Sequence, residues 1–240
     1  MTIKAVLFDL DGTLVDSIPD LLEATRRMLN ELGEPTRSGK EIKRFVGKGF
    51  AYLVEQTLTQ DRAPKTRDEL DHAMSVFARH YSAVNGVKSK VYPDVIETLK
   101  TLQKRGVLMA CVTNKSIAFT GPLLALMKLS RYFECVVSGD TLPQKKPAPQ
   151  PLLHACKLLG VSVRETIMVG DSIIDAQAAQ AAGIPVLLVT YGYSESQPVD
   201  TIKCDGLVSS FAELPDCIDA LASTRGSSLV TYLRNKFFRD

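Results

Sequence analysis

Short apolar runs that each stop at a polar residue or a glycine recur along this chain, and they leave few folds open. "IKAVLFD" (3–9), "VLMACVT" (107–113), "ECVVSGD" (134–140), "TIMVGD" (166–171) and "PVLLVT" (185–190) read as buried strands. Helical patterns lie between them. "YPDVIETLKTLQKRG" sets Val95, Ile96, Leu99 and Leu102 at helical spacing, and Gly106 supplies a left-handed stop. "APQPLLHACKLLG" repeats the device with prolines ahead and Gly160 behind. "IIDAQAAQAAGIP" predicts a short helix, alanine-rich enough to pack closely on a sheet. Strands alternating with helices imply βαβ units, so the expected fold is α/β, a doubly wound, Rossmann-like parallel sheet.

One stretch breaks the rhythm. "PDLLEATRRMLNELG" spaces Leu21, Leu22, Met28, Leu29 and Leu32 for an amphipathic helix, and the sequence continues helically with no convincing strand to about residue 84. The predicted organisation is a core of residues 1–16 and 86–224, an all-helical insert over 17–85, and a basic tail over 225–240. An insert directly after the first strand would hang over the carboxyl ends of the sheet, where open α/β folds bind ligands. It is placed as a lid. The tail, "RGSSLVTYLRNKFFRD", is expected to form a terminal helix packed on the body or partly frayed.

Composition narrows the classes. A net charge of +2 neither favours nor excludes a broad polyanion surface, so any anion is expected to be held locally and no nucleic-acid partner is expected. Cys111, Cys135, Cys156, Cys204 and Cys217 are odd in number, widely spaced and form no CxxC pair. They read as small apolar residues in a reducing compartment. No segment reaches the roughly 18 apolar residues of a membrane span, and Asp9 and Asp11 interrupt the first apolar run too early for a signal peptide. The expected setting is the cytoplasm.

Two aspartates, Asp9 and Asp11, end the first run, followed at once by Gly12 and Thr13. At about 5 Å, with an effective dielectric near 20, two carboxylates repel by roughly 3 kcal/mol, or about two pKa units. A chain tolerates this with a cation present or with one carboxyl protonated. Either arrangement serves catalysis: an ionised, metal-bound aspartate is a nucleophile, and a protonated neighbour is a general acid. Other strand ends carry weaker signals. Thr113–Asn114 also fits a helix cap, and Lys145–Lys146 also fits a solvated basic loop. Asp171 and Asp175, four apart, suit a hard cation such as Mg2+ but equally suit the start of a helix.

Taken in order, "DLDGT", "VTN", "KP" and "GDSIID" resemble the four motifs of the haloacid dehalogenase superfamily, and the helical insert is similar to that family's C1-type cap. The resemblance covers nearly the whole chain. It implies a phosphatase in which Asp9 attacks phosphorus to form an aspartyl-phosphate, while Asp11 protonates the leaving oxygen and later deprotonates water. It also implies Mg2+ held by the carboxylates of Asp9 and Asp171 and the backbone carbonyl of Asp11, with Asp175 orienting metal-bound water or the lysine. Thr113 and Lys146 would bind phosphoryl oxygens, helped by backbone N–H groups of the turn through Gly12 and Thr13 and by Asn114. Lys146 is chosen over Lys145 because the family's lysine directly precedes the proline. The aspartate at position 11 points to phosphoryl rather than halide chemistry, because a departing halide needs no proton.

Finer strings, "FVGKGFAYLVEQTL", "SGDTLPQKKPAPQPLL" and "YGY…LVSSFAELP", are similar to the bacterial phosphoglycolate phosphatase branch. They imply 2-phosphoglycolate as substrate, cleaved to glycolate and phosphate by a monomer or homodimer. Lys48 stands between Gly47 and Gly49 where the branch commonly has a small polar residue. Two glycines would let backbone approach the substrate and Lys48 could pair with its carboxylate, with Arg44 a second candidate. Alternatives are another small phosphate (a sugar phosphate or pyrophosphate), a phosphomutase of the β-phosphoglucomutase type, and a non-catalytic binding protein.

Overall fold

Period-two burial shows how the central strands are used. In β1 (Ala5–Phe8), Val6 and Phe8 join one hydrophobic cluster and Leu7 joins another. The same split divides Met109 and Cys111 from Ala110 and Val112 in the strand at Leu108–Val112, and Ile167 and Val169 from Met168 in the strand at Thr166–Gly170. A strand that buries both faces needs helices on both faces. The computed structural model, which describes residues 2–60, 62–193 and 197–224, has that layout.

The remaining strands are β2 (Val15–Asp16), β3 (Lys90–Val91), β4 (Leu108–Val112), β5 (Cys135–Val137), β6 (Thr166–Gly170), β7 (Val186–Val189) and β8 (Gly206–Val208). Six form a parallel sheet ordered β5-β4-β1-β6-β7-β8, with Ala5 opposite both Leu108 and Thr166. The helices are α1 (Ile18–Glu31), α2 (Gly39–Lys43), α3 (Phe50–Thr59), α4 (Arg67–Val84), α5 (Val95–Lys104), α6 (Ile117–Leu126), α7 (Gln150–Leu159), α8 (Ile173–Ala182) and α9 (Leu214–Thr224). Residues of α5, α6 and α9 share one cluster with the sheet; α7 and the alanines of α8 share the other. The fold is the doubly wound α/β class the sequence predicts. β1 lies centrally, and the chain runs outward from it on both sides, which opens a crevice at the carboxyl ends of β1, β4 and β6.

Helices α1 to α4 pack around their own apolar centre of Leu21, Met28, Leu53, Phe77 and Tyr81, with Phe119 of α6 reaching into it. Capping boxes at Ser38/Glu41 and Thr66/Glu69 start α2 and α4. The two chain crossings between this layer and the sheet run side by side: β2 and β3 pair antiparallel, with Val15 opposite Val91. Asp20, wholly buried in the first turn of α1, accepts from the backbone N–H groups of Gly86, Lys88 and Ser89 on the return crossing. The 225–240 tail of the sequence analysis lies outside the described residues.

Candidate active site

The turn after β1 is built by the backbone. Asp9 N–H donates to Val169 O and continues the β1–β6 ladder by one residue. Leu14 and Val15 then donate back to Leu10 O, and Gly12 donates to Val15 O. Gly12 has φ of +90°, and a Cβ there would stand 2.3 Å from Asp171 Oδ2, so only glycine fits. The turn presents Asp9 and Asp11 separately, each with its own lysine. Lys146 Nζ donates to Asp9 Oδ1 at 2.8 Å; Lys115 Nζ donates to Asp11 Oδ1 and Oδ2 at 2.8 and 3.1 Å. Ser17 Oγ also donates to Asp11, at 2.5 Å. The repulsion that the sequence poses is divided between two buried cations.

Lys146 holds the floor of the site. It is 4% exposed and its ammonium gives its other two bonds to Asp175 Oδ1 and Val112 O, both at 2.7 Å. Lys145, by contrast, is exposed. Asp175 is the third residue of α8 and accepts through Oδ2 from Ser172 Oγ and from the N–H groups of Asp171 and Ser172. It therefore both caps α8 and orients the lysine. Asp171, at the end of β6, accepts from Tyr193 N–H at 2.6 Å and from Thr13 Oγ1 at 3.4 Å and has no lysine of its own among the described residues.

Asp9, Asp171 and Asp175 each place an oxygen within 4.8 Å of the others. Burial pushes the Asp9 carboxyl up to about 6; Lys146 opposes that shift, and Asp175 and Asp11 add to it. Asp171 is raised well above the ordinary value by burial first, then by Asp175 and Asp9. Four carboxylates here face two lysines. A hard divalent cation with oxygen ligands fits this donor set and this charge excess. The carboxylate of Asp11 lies outside the group, turned to Lys115 and Ser17.

The other predicted residues fall in three places. Thr113 is buried beside Asp9, and its Oγ1 accepts from Lys115 N–H at 3.2 Å. Asn114, expected to bind phosphate, has its side chain occupied by the backbone. Nδ2 donates to Gly47 O and Lys146 O, and Oδ1 accepts from Lys146 N–H. It ties the loop before α3 to the core and fixes the loop carrying Lys146. Gly47 and Gly49, with φ of +102° and +89°, line a small cavity with Asp9, Asp11, Thr113, Asn114, Lys115 and Phe50. Lys48 is exposed and does not line that cavity; its Nζ is 4.6 Å from the Tyr52 ring centroid. With Arg44, Asp171 and Tyr193 it lines a neighbouring opening.

Three residues were not anticipated. Lys115 directly follows the "VTN" strand end, but a lysine there reads as solvated until Asp11 is brought to it. Ser17 donates to Asp11, and Tyr193 links the site to the first crossing: its hydroxyl accepts from Ser17 N–H at 2.7 Å and donates to Asp16 at 2.8 Å.

The family model for haloacid dehalogenase-like hydrolases matches residues 6–189, from β1 through β7. The chain belongs to that family. It is 46% identical over 214 residues to a phosphoglycolate phosphatase of Nitrosospira multiformis, covering 89% of this chain and 94% of that one. A plasmid-borne phosphoglycolate phosphatase of Cupriavidus necator is 47% identical over 212 residues, covering 88% and 91%. Among solved structures, a predicted phosphoglycolate phosphatase from Haemophilus somnus superposes with a TM-score of 0.85 at 32% identity, over 90% of this chain and 98% of that one.

Proposed function

We propose that this hydrolase is a divalent-metal-dependent phosphatase that cleaves 2-phosphoglycolate to glycolate and phosphate. The observation that carries the reading is the pair of adjacent carboxylates held by different lysines, with Asp9 against the acidic trio and Asp11 beyond it. Such separation lets one carboxylate attack while the other moves a proton. The names of the relatives, at 46% and 47% identity over nearly their full lengths, support the substrate.

In the first half-reaction an Asp9 oxygen bonds to phosphorus as the bond to the ester oxygen breaks, and Asp11 gives its proton to the departing alkoxide. In the second, Asp11 takes a proton from water, the water oxygen bonds to phosphorus, and the bond to Asp9 breaks to release phosphate. Thr113 and Lys146 are assigned to phosphoryl oxygens, with the N–H groups of the turn through Gly12 and Thr13. For Lys146 this means exchanging one of its present protein acceptors for the ligand. Mg2+, held by Asp9 and Asp171 with the carbonyl of Asp11, and with Asp175 behind, would neutralise the charge gathered where a carboxylate meets a phosphate. Helices α1 to α4 act as the cap, and the loop through Gly47 and Gly49 is one of its contacts with the core.

Among the described residues no helix is long and apolar enough to cross a membrane, and all five cysteines are free. Both fit the cytoplasm, with a small phosphorylated metabolite as partner. The test is phosphate release by the purified protein with Mg2+ across 2-phosphoglycolate, sugar phosphates and pyrophosphate. Preference for 2-phosphoglycolate is expected. Faster release from another ester would replace the substrate, and isomer formation without phosphate release would point to a mutase.

A further inference from the structure

The leaving group proposed above is only two carbons long. Its carboxylate hangs from the carbon that bears the leaving oxygen, so the carboxylate oxygens lie within about 4 Å of that oxygen by bond lengths alone. A cation that reads the carboxylate must therefore stand beside the residue that protonates the leaving oxygen. Lys48 and Arg44, both exposed, line the neighbouring opening, which Asp11 shares, but neither lines the cavity that holds Asp9 and Thr113, and neither is bonded to Asp11. Lys146 is committed to Asp9, Asp175 and Val112 O. Lys115 meets the requirement: its Nζ is on Asp11, and it lines the same cavity as Asp9, Thr113 and Gly49.

The surroundings of Lys115 suit an anion. The residue is 2% exposed, and its ammonium faces the rings of Tyr81 and Phe50, 4.9 and 5.3 Å from the centroids. The hydroxyl of Tyr81, buried next to this ammonium, has no acceptor for its own hydrogen among the described residues. A buried hydroxyl left without an acceptor costs about 1–3 kcal/mol. A ligand carboxylate at Lys115 would give it one.

We propose that Lys115 is the specificity-determining residue of the site, the cation on which the substrate's carboxylate sits while the phosphoryl group faces Asp9. The inference rests on the 2-phosphoglycolate reading and assigns the group that recognises its acid end. Two aromatic walls keep water from that ion pair, which makes the contact stronger than one to an exposed lysine. Lys115 bridges Asp11 and the substrate's acid group.

The test compares 2-phosphoglycolate with 2-hydroxyethyl phosphate, which keeps the two-carbon chain but ends in a hydroxyl. In Lys115→Met both reactions slow because Asp11 loses its partner, so the quantity read is the ratio of the two kcat/KM values. The wild-type preference should fall on the order of 10²-fold. A wild-type ratio near unity overturns the substrate reading and this inference with it. A strong wild-type preference that survives in Lys115→Met, within about threefold, overturns the Lys115 assignment alone. Should that variant fail to fold, a crystal structure of the wild type with 3-phosphonopropionate decides. A carboxylate on Lys115 Nζ is expected, and a carboxylate on Lys48, on Arg44 or on neither lysine refutes it.

Discussion

Asp20→Asn changes one atom at the place where the chain returns from the helical layer to the sheet. In the wild type, Oδ1 accepts from Lys88 N–H at 2.8 Å. Oδ2 accepts from Gly86 N–H at 3.0 Å, Ser89 N–H at 2.9 Å and Ser89 Oγ at 2.5 Å. The side chain is wholly buried, so no water replaces a lost bond. An asparagine keeps a single acceptor oxygen. Placed at the Oδ2 position it retains three donors, but its NH2 then faces the Lys88 N–H, donor against donor. One charge-assisted bond is lost, about 1.5–3 kcal/mol, and the other three lose their ionic share, roughly 0.5 kcal/mol each. The total is about 3–4.5 kcal/mol. At roughly 2–4 °C per kcal/mol for a chain of this size, the melting temperature should fall by about 10 °C. Calorimetry at neutral pH and fixed metal measures this, and kcat/KM well below the melt should fall about tenfold as the helical layer loses its set position. A stability loss under about 1 kcal/mol would show that the crossing is not pinned by this carboxylate.

Asp9→Asn should abolish phosphate release while leaving the melting temperature unchanged or higher, because it removes a charge from a crowded buried group; retained turnover would remove Asp9 as nucleophile. Gly12→Ala should disable the enzyme by driving a methyl group into Asp171, and an active variant would refute the tight fit. Asn114→Ala should lower kcat/KM by about 10–100-fold as the Gly47 loop and the Lys146 loop lose a shared tie, a loss that a steady-state assay reads directly. Chelation with EDTA should stop turnover and Mg2+ should restore it. In the metal-free protein, Asp9 and Asp171 have folded pKa values above their unfolded ones. Their penalty is absent below the unfolded value, near 4, and grows as pH rises through about 6. Melts of the metal-free protein should therefore show higher stability near pH 5 than at pH 7.5, by about 1.4 kcal/mol from Asp9 alone, and a flat profile would refute the charge excess.

The sheet was legible because buried parallel strands write themselves as apolar runs, and β1, β4, β5, β6 and β7 all lie inside the segments quoted. β8 is three residues of a partly exposed edge, too short for any pattern. α6 is apolar around its whole circumference and contains Pro122, so no stripe marks it. Two-residue β2 and β3 exist only through each other. In the site, residues named by their own chemistry, such as Asp9, Asp171 and Lys146, were legible. Residues whose meaning depends on a distant partner were not: Lys115 needs Asp11, and Tyr193 needs Ser17. The Tyr52 ring beside Lys48 was likewise not legible, because that contact depends on how the turn between the two glycines is folded.

The paired crossings β2 and β3 have a mechanical meaning. A body tied to another by two adjacent strands keeps one cheap degree of freedom, rotation about the line through the ties, and resists twisting and sliding. The bond from Asn114 Nδ2 to Gly47 O, between two residues of the cavity wall, would work as a latch on that rotation. What lies between axis and latch sets how far the rotation can proceed. On the proposed substrate, a two-carbon leaving group would let the latch engage, whereas a bulkier one would prop the door ajar. Discrimination by size then needs no residue that touches the excess bulk.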